Sequence, residues 1–438
     1  MSESQTVLFV PFYKATRKEG DRIWNPMAGM RYRAAVETRP ALPAPDAAPG
    51  IEHGAVAAPL IATVLGAAVF GAILTRGFTT WESFGDFAVH NERASHLADG
   101  GRLEMPHPLY HLLVIVLHAL LPHVGFGTAG LWVALATQSL LVLTVYAALR
   151  SGFGLGARPS PLAAAAMALP LCLVAPVYLL TRARRQRYFG YVYPNTFHSP
   201  TMILLRPFAL GLFVACAAVL SDRRAPAALL AALTLACGLA KPNYLICLFP
   251  ALVLLAIADR RPGARERWRA LTLYVIVPGA ALLALQAWFT LATDRMRPSE
   301  LAWAPLAVIR NYVPDSWPLI AAKLALSSLF PLSVLLAFPG ELRREPGLRL
   351  AWLAFAIGVV YSYGFAELGP RLGEGNFLWC GQVTLFVLFV ASARTLLGRT
   401  AAGPRDALRI AACAVVFLAQ LASGLAYAWR VGWAGRPV

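Results

Sequence analysis

Long apolar runs alternate with short polar loops along nearly the whole chain. The runs at 56–75, 129–149, 161–180, 202–220, 225–240, 243–258, 271–292, 318–338, 350–365, 377–396 and 410–430 predict membrane crossings. A helix rising ~1.5 Å per residue spans a hydrocarbon core of ~30 Å in roughly twenty residues. A shorter apolar run, 108–122, opens with Pro106-His107-Pro108 and ends at Pro122. At about 23 Å it is too short for a full crossing, and it predicts a helix lying at the interface. The expected fold is all-α: a polytopic helical membrane protein with eleven crossings and one juxtamembrane helix.

The status of 108–122 fixes sidedness. Without a crossing there, the basic loops 221–224, 259–270, 339–349 and 397–409 share a side with the amino terminus, which the positive-inside rule makes cytoplasmic. Loops 76–107, 181–201, 293–317 and 366–376 then share the opposite, external side. With a crossing the sides exchange, and Arg260, Arg261, Arg265, Arg267 and Arg269 become external.

Composition agrees with this class. The chain has 438 residues, of which 58% are hydrophobic and only 14% charged, with a mean hydropathy of +0.59. A soluble surface needs roughly a quarter to a third charged residues, and the alternation of an outer-membrane barrel is missing. The net charge of +17 fits orienting loops better than a nucleic-acid surface. Six cysteines lie in apolar stretches without metal-like spacing and read as small core residues. Residues 1–55 are basic, lack the apolar region of a signal peptide and carry Pro40, Pro43, Pro45 and Pro49. They predict a flexible cytoplasmic tail.

Candidate chemistry gathers in the loops of one side. After the first run, Asp86 and His90 stand four apart and share a helix face, with Glu92 beside them and His107 and His111 flanking the juxtamembrane segment. Asp86 reads as a catalytic carboxylate with His90 orienting it or holding a metal; the plainer alternative is a helix start with Asp86 as its cap. Glu82 lies in the same loop. The segment Asn195-Thr196-Phe197-His198-Ser199-Pro200-Thr201 leads to Arg206, one to two turns inside a span. An intramembrane Arg needs a partner: a lipid phosphate is one, and snorkelling to the interface is the alternative. Arg182, Arg184, Arg185 and Arg187 just upstream run against the positive-inside trend. Lys241-Pro242 interrupts the run 225–258, offering a point charge to a phosphate or forming a plain turn. Arg371, Glu374, Asn376 and Trp379 combine polar groups with an aromatic ring, as a sugar requires, although Trp379 alone reads as interfacial belt. No phosphate-binding Gly-rich loop, nucleophile elbow or zinc-protease motif is present.

The Gly85-Asp86-Phe87-Ala88-Val89-His90 element after a first span, the Asn-Thr-Phe-His-Ser-Pro-Thr loop before Arg206-Pro207-Phe208, and Gly375-Asn376-Phe377-Leu378-Trp379 together resemble an uncharacterised bacterial branch of the GT-C superfamily of polytopic glycosyltransferases. The resemblance runs from about residue 56 onward. It departs from the family where Phe87 follows Asp86, leaving out the second adjacent acid. It implies transfer of a sugar from a polyprenyl-phosphate donor to a glycan, lipid or protein acceptor on the extracytoplasmic face of a bacterial inner membrane. Asp86 would be the base with His90 beside it. His198, Arg206, Lys241 and Arg371 would hold the donor phosphate, and Glu92, His107, Asn195, Glu374, Asn376 and Trp379 the rest of the substrate. A divalent cation, magnesium or manganese, is compatible with such a site, and no nucleic-acid partner is expected. The rival readings are a transporter or flippase of a lipid-linked glycan, another lipid-linked group transferase, and a structural partner in a cell-envelope complex.

Overall fold

In a computed structural model of the chain, residues 54–80, 86–151, 157–179, 189–293 and 300–430 are described. The amino-terminal segment, Glu82 and the arginines at 182, 184, 185 and 187 lie outside them.

The described chain is built of helices: α1 (Gly54–Thr80), α2 (Asp86–Ala98), α3 (Leu109–Leu120), α4 (Phe126–Arg150), α5 (Pro161–Leu171), α6 (Pro200–Leu220), α7 (Ala227–Ala240), α8 (Asn243–Ala258), α9 (Ala264–Leu271), α10 (Val277–Thr293), α11 (Ala307–Tyr312), α12 (Trp317–Ser327), α13 (Leu329–Ala337), α14 (Pro339–Arg344), α15 (Pro346–Gly364), α16 (Leu378–Leu397) and α17 (Pro404–Ala428). A π-helical turn, Thr272–Ile276, joins α9 to α10. Among the described residues seven helices are long and apolar enough to cross a membrane, or eight with α12 and α13 taken as one broken span. α3, α5, α7 and α8 are shorter apolar helices. The protein is therefore a helical, membrane-embedded one.

α16 is buried on all sides, as the hydrophobic-all-round pattern of a central helix demands. α15, α6, α8, α13 and α4 pack around it. α1, α10 and α17 instead expose wide apolar faces, including Leu60, Ile61, Val64, Leu285, Val415 and Leu418. In water such faces would be costly; in lipid they are solvated.

The breaks in the bundle position the chemistry. A residue preceding proline is pushed out of the α region, and Lys241, before Pro242, ends α7 in an extended conformation at φ −170° and ψ 132°. The run expected as a helix over 161–180 stops at Leu171, and Asn195 Nδ2 donates to the freed carbonyls of Leu171 at 3.0 Å and Val174 at 2.9 Å. The run expected over 318–338 bends by 72° between α12 and α13. Gln420 of α17 bridges that break, accepting from Phe330 N–H at 2.9 Å and donating to Leu326 and Ser327 carbonyls at 3.1 and 3.0 Å. These are the orphan groups any helix end must satisfy.

The all-α expectation needs one amendment. β1 (Glu300–Trp303) pairs antiparallel with β2 (Phe365–Leu368), Glu300 opposite Leu368 and Trp303 opposite Phe365. This ribbon fastens the loop after α10 to the loop after α15. Both ends of α3 stay near the first two turns of α4: the Tyr110 hydroxyl comes close to the Cα of Gly130, and the His118 ring lies 4.2 Å from Phe126.

Candidate active site

Asp86 is the first residue of α2, half-buried, where a carboxylate complements the positive end of the helix dipole. α2 is held down by Asn91, whose Oδ1 accepts from the Tyr110 hydroxyl at 2.8 Å. The contact is possible because residue 130 of α4 is glycine: a Cβ there would overlap both groups.

The pairing of Asp86 with His90 requires correction. His90 is claimed by α3: its Nδ1 lies 3.0 Å from His111 Nε2. Among the charges that act on it are His111, Lys241, His107 and Arg93. Asp86 acts electrostatically on His198, from the loop before α6. Its Nδ1 lies 3.0 Å from Thr196 Oγ1, and its ring is 5.7 Å from the Trp379 ring. The loop carrying His198 is pinned, with Val192 N–H donating to Ser327 Oγ at 3.0 Å, Tyr363 donating to Gly190 O at 3.0 Å, and Lys323 donating to Phe189 O at 2.9 Å.

Lys241 is the hub. It is 7% exposed, and its Nζ donates to Thr201 Oγ1 at 3.3 Å and lies 4.9 Å from the Trp379 ring centroid. Burial pulls its pKa below the ordinary value, and Asp86 leads the charges that oppose this, followed by Cys380, Glu374 and Glu367. Burial likewise lowers His198, with Asp86 pushing back. Burial, then His111 and nearby cations, pushes His90 down to about 2. His107, 9% exposed, is held well below its usual value by burial and then by Lys241. His90 and His107 are therefore neutral at physiological pH.

Three further positions change their meaning. Arg206 is fully buried, so it neither snorkels nor meets a lipid phosphate. Its guanidinium donates to Asn195 Oδ1 at 2.7 Å, Thr196 O at 3.1 Å and Gln138 Oε1 at 3.3 Å. Asn195, with both ends of its amide engaged, is likewise a structural staple and not a substrate contact. Glu92 is exposed, outside the cluster.

Arg371, Glu374 and Asn376 form the rim. Arg371 stands 3.1 Å from Glu374 and 3.4 Å from Glu367, while Asn376 donates to Glu367 at 2.7 Å and Glu374 at 3.0 Å. Asn243 Nδ2 donates to Asn376 O at 2.8 Å, tying the rim to the start of α8. Trp379 is 9% exposed and belongs to the site, not to an interfacial belt. Thr196 and Thr201 lie in the segment the sequence singled out, without a role assigned to either; Arg93 carries no local signal that marks it.

Among the described residues no three His, Cys, Asp or Glu side chains converge to hold a metal ion. The arrangement can accept a proton at Asp86 and stabilise an anion at Lys241. No protein-family model matches the chain, and no curated protein matches it in sequence.

Proposed function

We propose that the chain is a GT-C-like membrane glycosyltransferase, moving a sugar from a polyprenyl-phosphate donor to an acceptor on the extracytoplasmic face of a bacterial inner membrane. The observation that carries this is the buried Lys241 at one end of the bundle, whose ammonium donates to Thr201 and lies over the Trp379 ring, with Asp86 foremost among the charges that act on it. Trp379 and His198 complete the wall. In the reaction the Asp86 carboxylate takes the proton of an acceptor hydroxyl. The acceptor oxygen bonds to the anomeric carbon as the carbon–oxygen bond to phosphate breaks, and the phosphate leaves with that electron pair toward Lys241 and His198. The neutral His90–His111 pair and Arg371 shape the surroundings and do not act as the base.

Eleven crossings belong to the same reading. The short helices α5, α7 and α8 and the extended segment after α5 complete four of them with α6, and α3 lies at the membrane surface because both its ends stay at the start of α4. A transporter would line a mid-membrane path with available charge, whereas the intramembrane Arg206 is engaged by protein acceptors.

The test is sugar transfer from polyprenyl-phosphate sugars by purified protein in lipid vesicles, wild type beside Asp86→Asn. Transfer that falls by about 10²–10⁴ in a variant of unchanged thermal stability supports the reading. Full transfer by Asp86→Asn removes Asp86 as base.

A further inference from the structure

A partly open cavity of about 350 Å³ lies between the loop before α6, α11 and the facing ends of α15 and α16. It has room for one ring-sized ligand. Phe189, Tyr191, Tyr193 and Tyr363 wall it, with Ile309 and Leu378 between them, and among the described residues none that lines it carries a charge. The ion pair behind it, Lys323 with Asp315, lies against Gly190 and is closed on itself. Gly381 lets the walls approach: a Cβ there would stand 2.7 Å from Ser362 Oγ and 3.3 Å from Val192. Most of the polar wall is spent internally. The Tyr363 hydroxyl donates to Gly190 O at 3.0 Å, while Ser362 Oγ accepts from Gly381 N–H at 2.8 Å and donates to Phe377 O at 3.1 Å. Gln382, one turn along α16 from Leu378, is different. It is 5% exposed, its amide is within hydrogen-bonding reach of the Tyr193 hydroxyl, and its Oε1 has no partner among the described residues. Buried polar atoms are nearly always partnered, so a bare acceptor on a cavity wall points to a donor that a ligand brings.

Tyr193 is the wall shared with the candidate active site, because Asp86 acts on it electrostatically. Trp379, next to Leu378 in the chain, faces Lys241. We propose that the cavity is the acceptor subsite and takes an uncharged sugar ring, one of whose hydroxyls donates to Gln382 Oε1. The proposal rests on the transferase reading and narrows its acceptor. A uronate or an amine entering here would give up its hydration and meet no opposite charge on the walls. A purely apolar chain would fit the aromatic residues but leave Gln382 stranded. A neutral sugar meets both demands, with C–H groups against the rings and a hydroxyl for the amide oxygen. Gln382 then sets specificity, because a site built to bond a hydroxyl rejects an analogue that lacks it.

The experiment is equilibrium binding, without donor, to full-length protein in phosphatidylcholine vesicles. The probes are the octyl glycosides of glucose, galactose and mannose below their micelle-forming concentrations, beside octyl glucuronide and octanol. The expected result is saturable binding of at least one neutral glycoside, at least about tenfold tighter than the glucuronide and octanol. Gln382→Met should weaken that binding about tenfold or more while the melting temperature holds or rises, since an unpartnered buried acceptor gives way to an apolar chain of similar length. Ile309→Phe, which fills the cavity from α11, should weaken it as well. Three results overturn the proposal: no saturable binding of any neutral glycoside, equal affinity for the glucuronide or octanol, and binding that Gln382→Met leaves unchanged. Should Gln382→Met fail to fold, undiminished binding by Ile309→Phe overturns it instead. Binding is read without turnover and Asp86→Asn retains it, so this proposal and the transferase reading fail separately.

Discussion

Two buried cations, Arg267 at one end of the bundle and Lys241 at the other, are held in different ways. α6, running from Pro200 beside Lys241 to Leu220 before Asp222, separates them by about 30 Å. At the basic end the cation meets carboxylates of the protein. Arg267, 6% exposed, meets Asp222 and also Asp259, the latter at 3.1 Å; Asp259 is gripped in addition by Arg261 at 2.9 Å and Trp268 at 3.1 Å. Arg399 meets Glu341 at 2.6 Å, and Glu345 accepts from Thr395 at 2.7 Å. At the other end Lys323 meets Asp315 in a buried pair, but Lys241 has a hydroxyl and an indole face for neighbours, and His107 has no partner among the described residues. A completed buried pair holds structure; an uncompleted one leaves its charge for something that arrives.

Substituting one charge at each end breaks the comparison most sharply. Asp86→Asn is expected to cost about 10²–10⁴ in transfer rate with little change in melting temperature. Arg267→Ala, which removes the cation shared by Asp222 and Asp259 while Arg261 and Trp268 still hold Asp259, is expected to cost about 1–3 kcal/mol of stability while activity per folded molecule stays level. Denaturation monitored beside transfer distinguishes the two, and a stability loss in Asp86→Asn as large as in Arg267→Ala would erase the contrast. Next in size is Lys241→Met, which should lower transfer by about 10²–10³ yet hold or raise the melting temperature, since a buried charge gives way to an apolar chain of similar length.

Acidification separates the ends by pH. The native pKa values of His90 and His107 lie below the ~6.5 of the unfolded chain. The unfolded state therefore binds more protons below that pH, so stability is fully present above about pH 6.5 and is lost as pH falls. Asp259, held well below the carboxylate range chiefly by Arg261, contributes stability that is lost only below about pH 4. Between these limits the melting temperature should fall on acidification, and the double substitution His90→Gln, His107→Gln should flatten the slope, His111 and His198 supplying what remains. An unchanged slope would remove these histidines from the account. The smallest effect is expected at Glu92, exposed on α2: Glu92→Gln should stay within about 0.5 kcal/mol of wild type and transfer at the same rate.

Apolar run length made most helices legible, and α8 matches its predicted range. What the runs hid were tertiary devices. Gln420 bridges the α12–α13 break from some 90 positions away in the chain, and Asn195 satisfies carbonyls of a helix ended 24 residues earlier. Neither leaves a local pattern. The collection of polar loops at one end was readable, including Asp86, His198, Lys241 and Trp379. Which of them face each other was not, because helix spacing places Asp86 and His90 on one face without revealing that His111, from another helix, takes His90. Arg206 misled for the same reason: its need for a partner was evident from its place in a span, but its acceptors on α4 and on the loop before α6 are visible only in three dimensions.

Pro242 has a further consequence. The ammonium of Lys241 is aimed by a backbone bend and not by a carboxylate that a substrate would have to displace. An arriving anion meets a charge already oriented, with no ion pair among the described residues to dismantle and little reorganisation to undergo, so the same dipeptide that ends a helix also preorganises the electrostatics of the site.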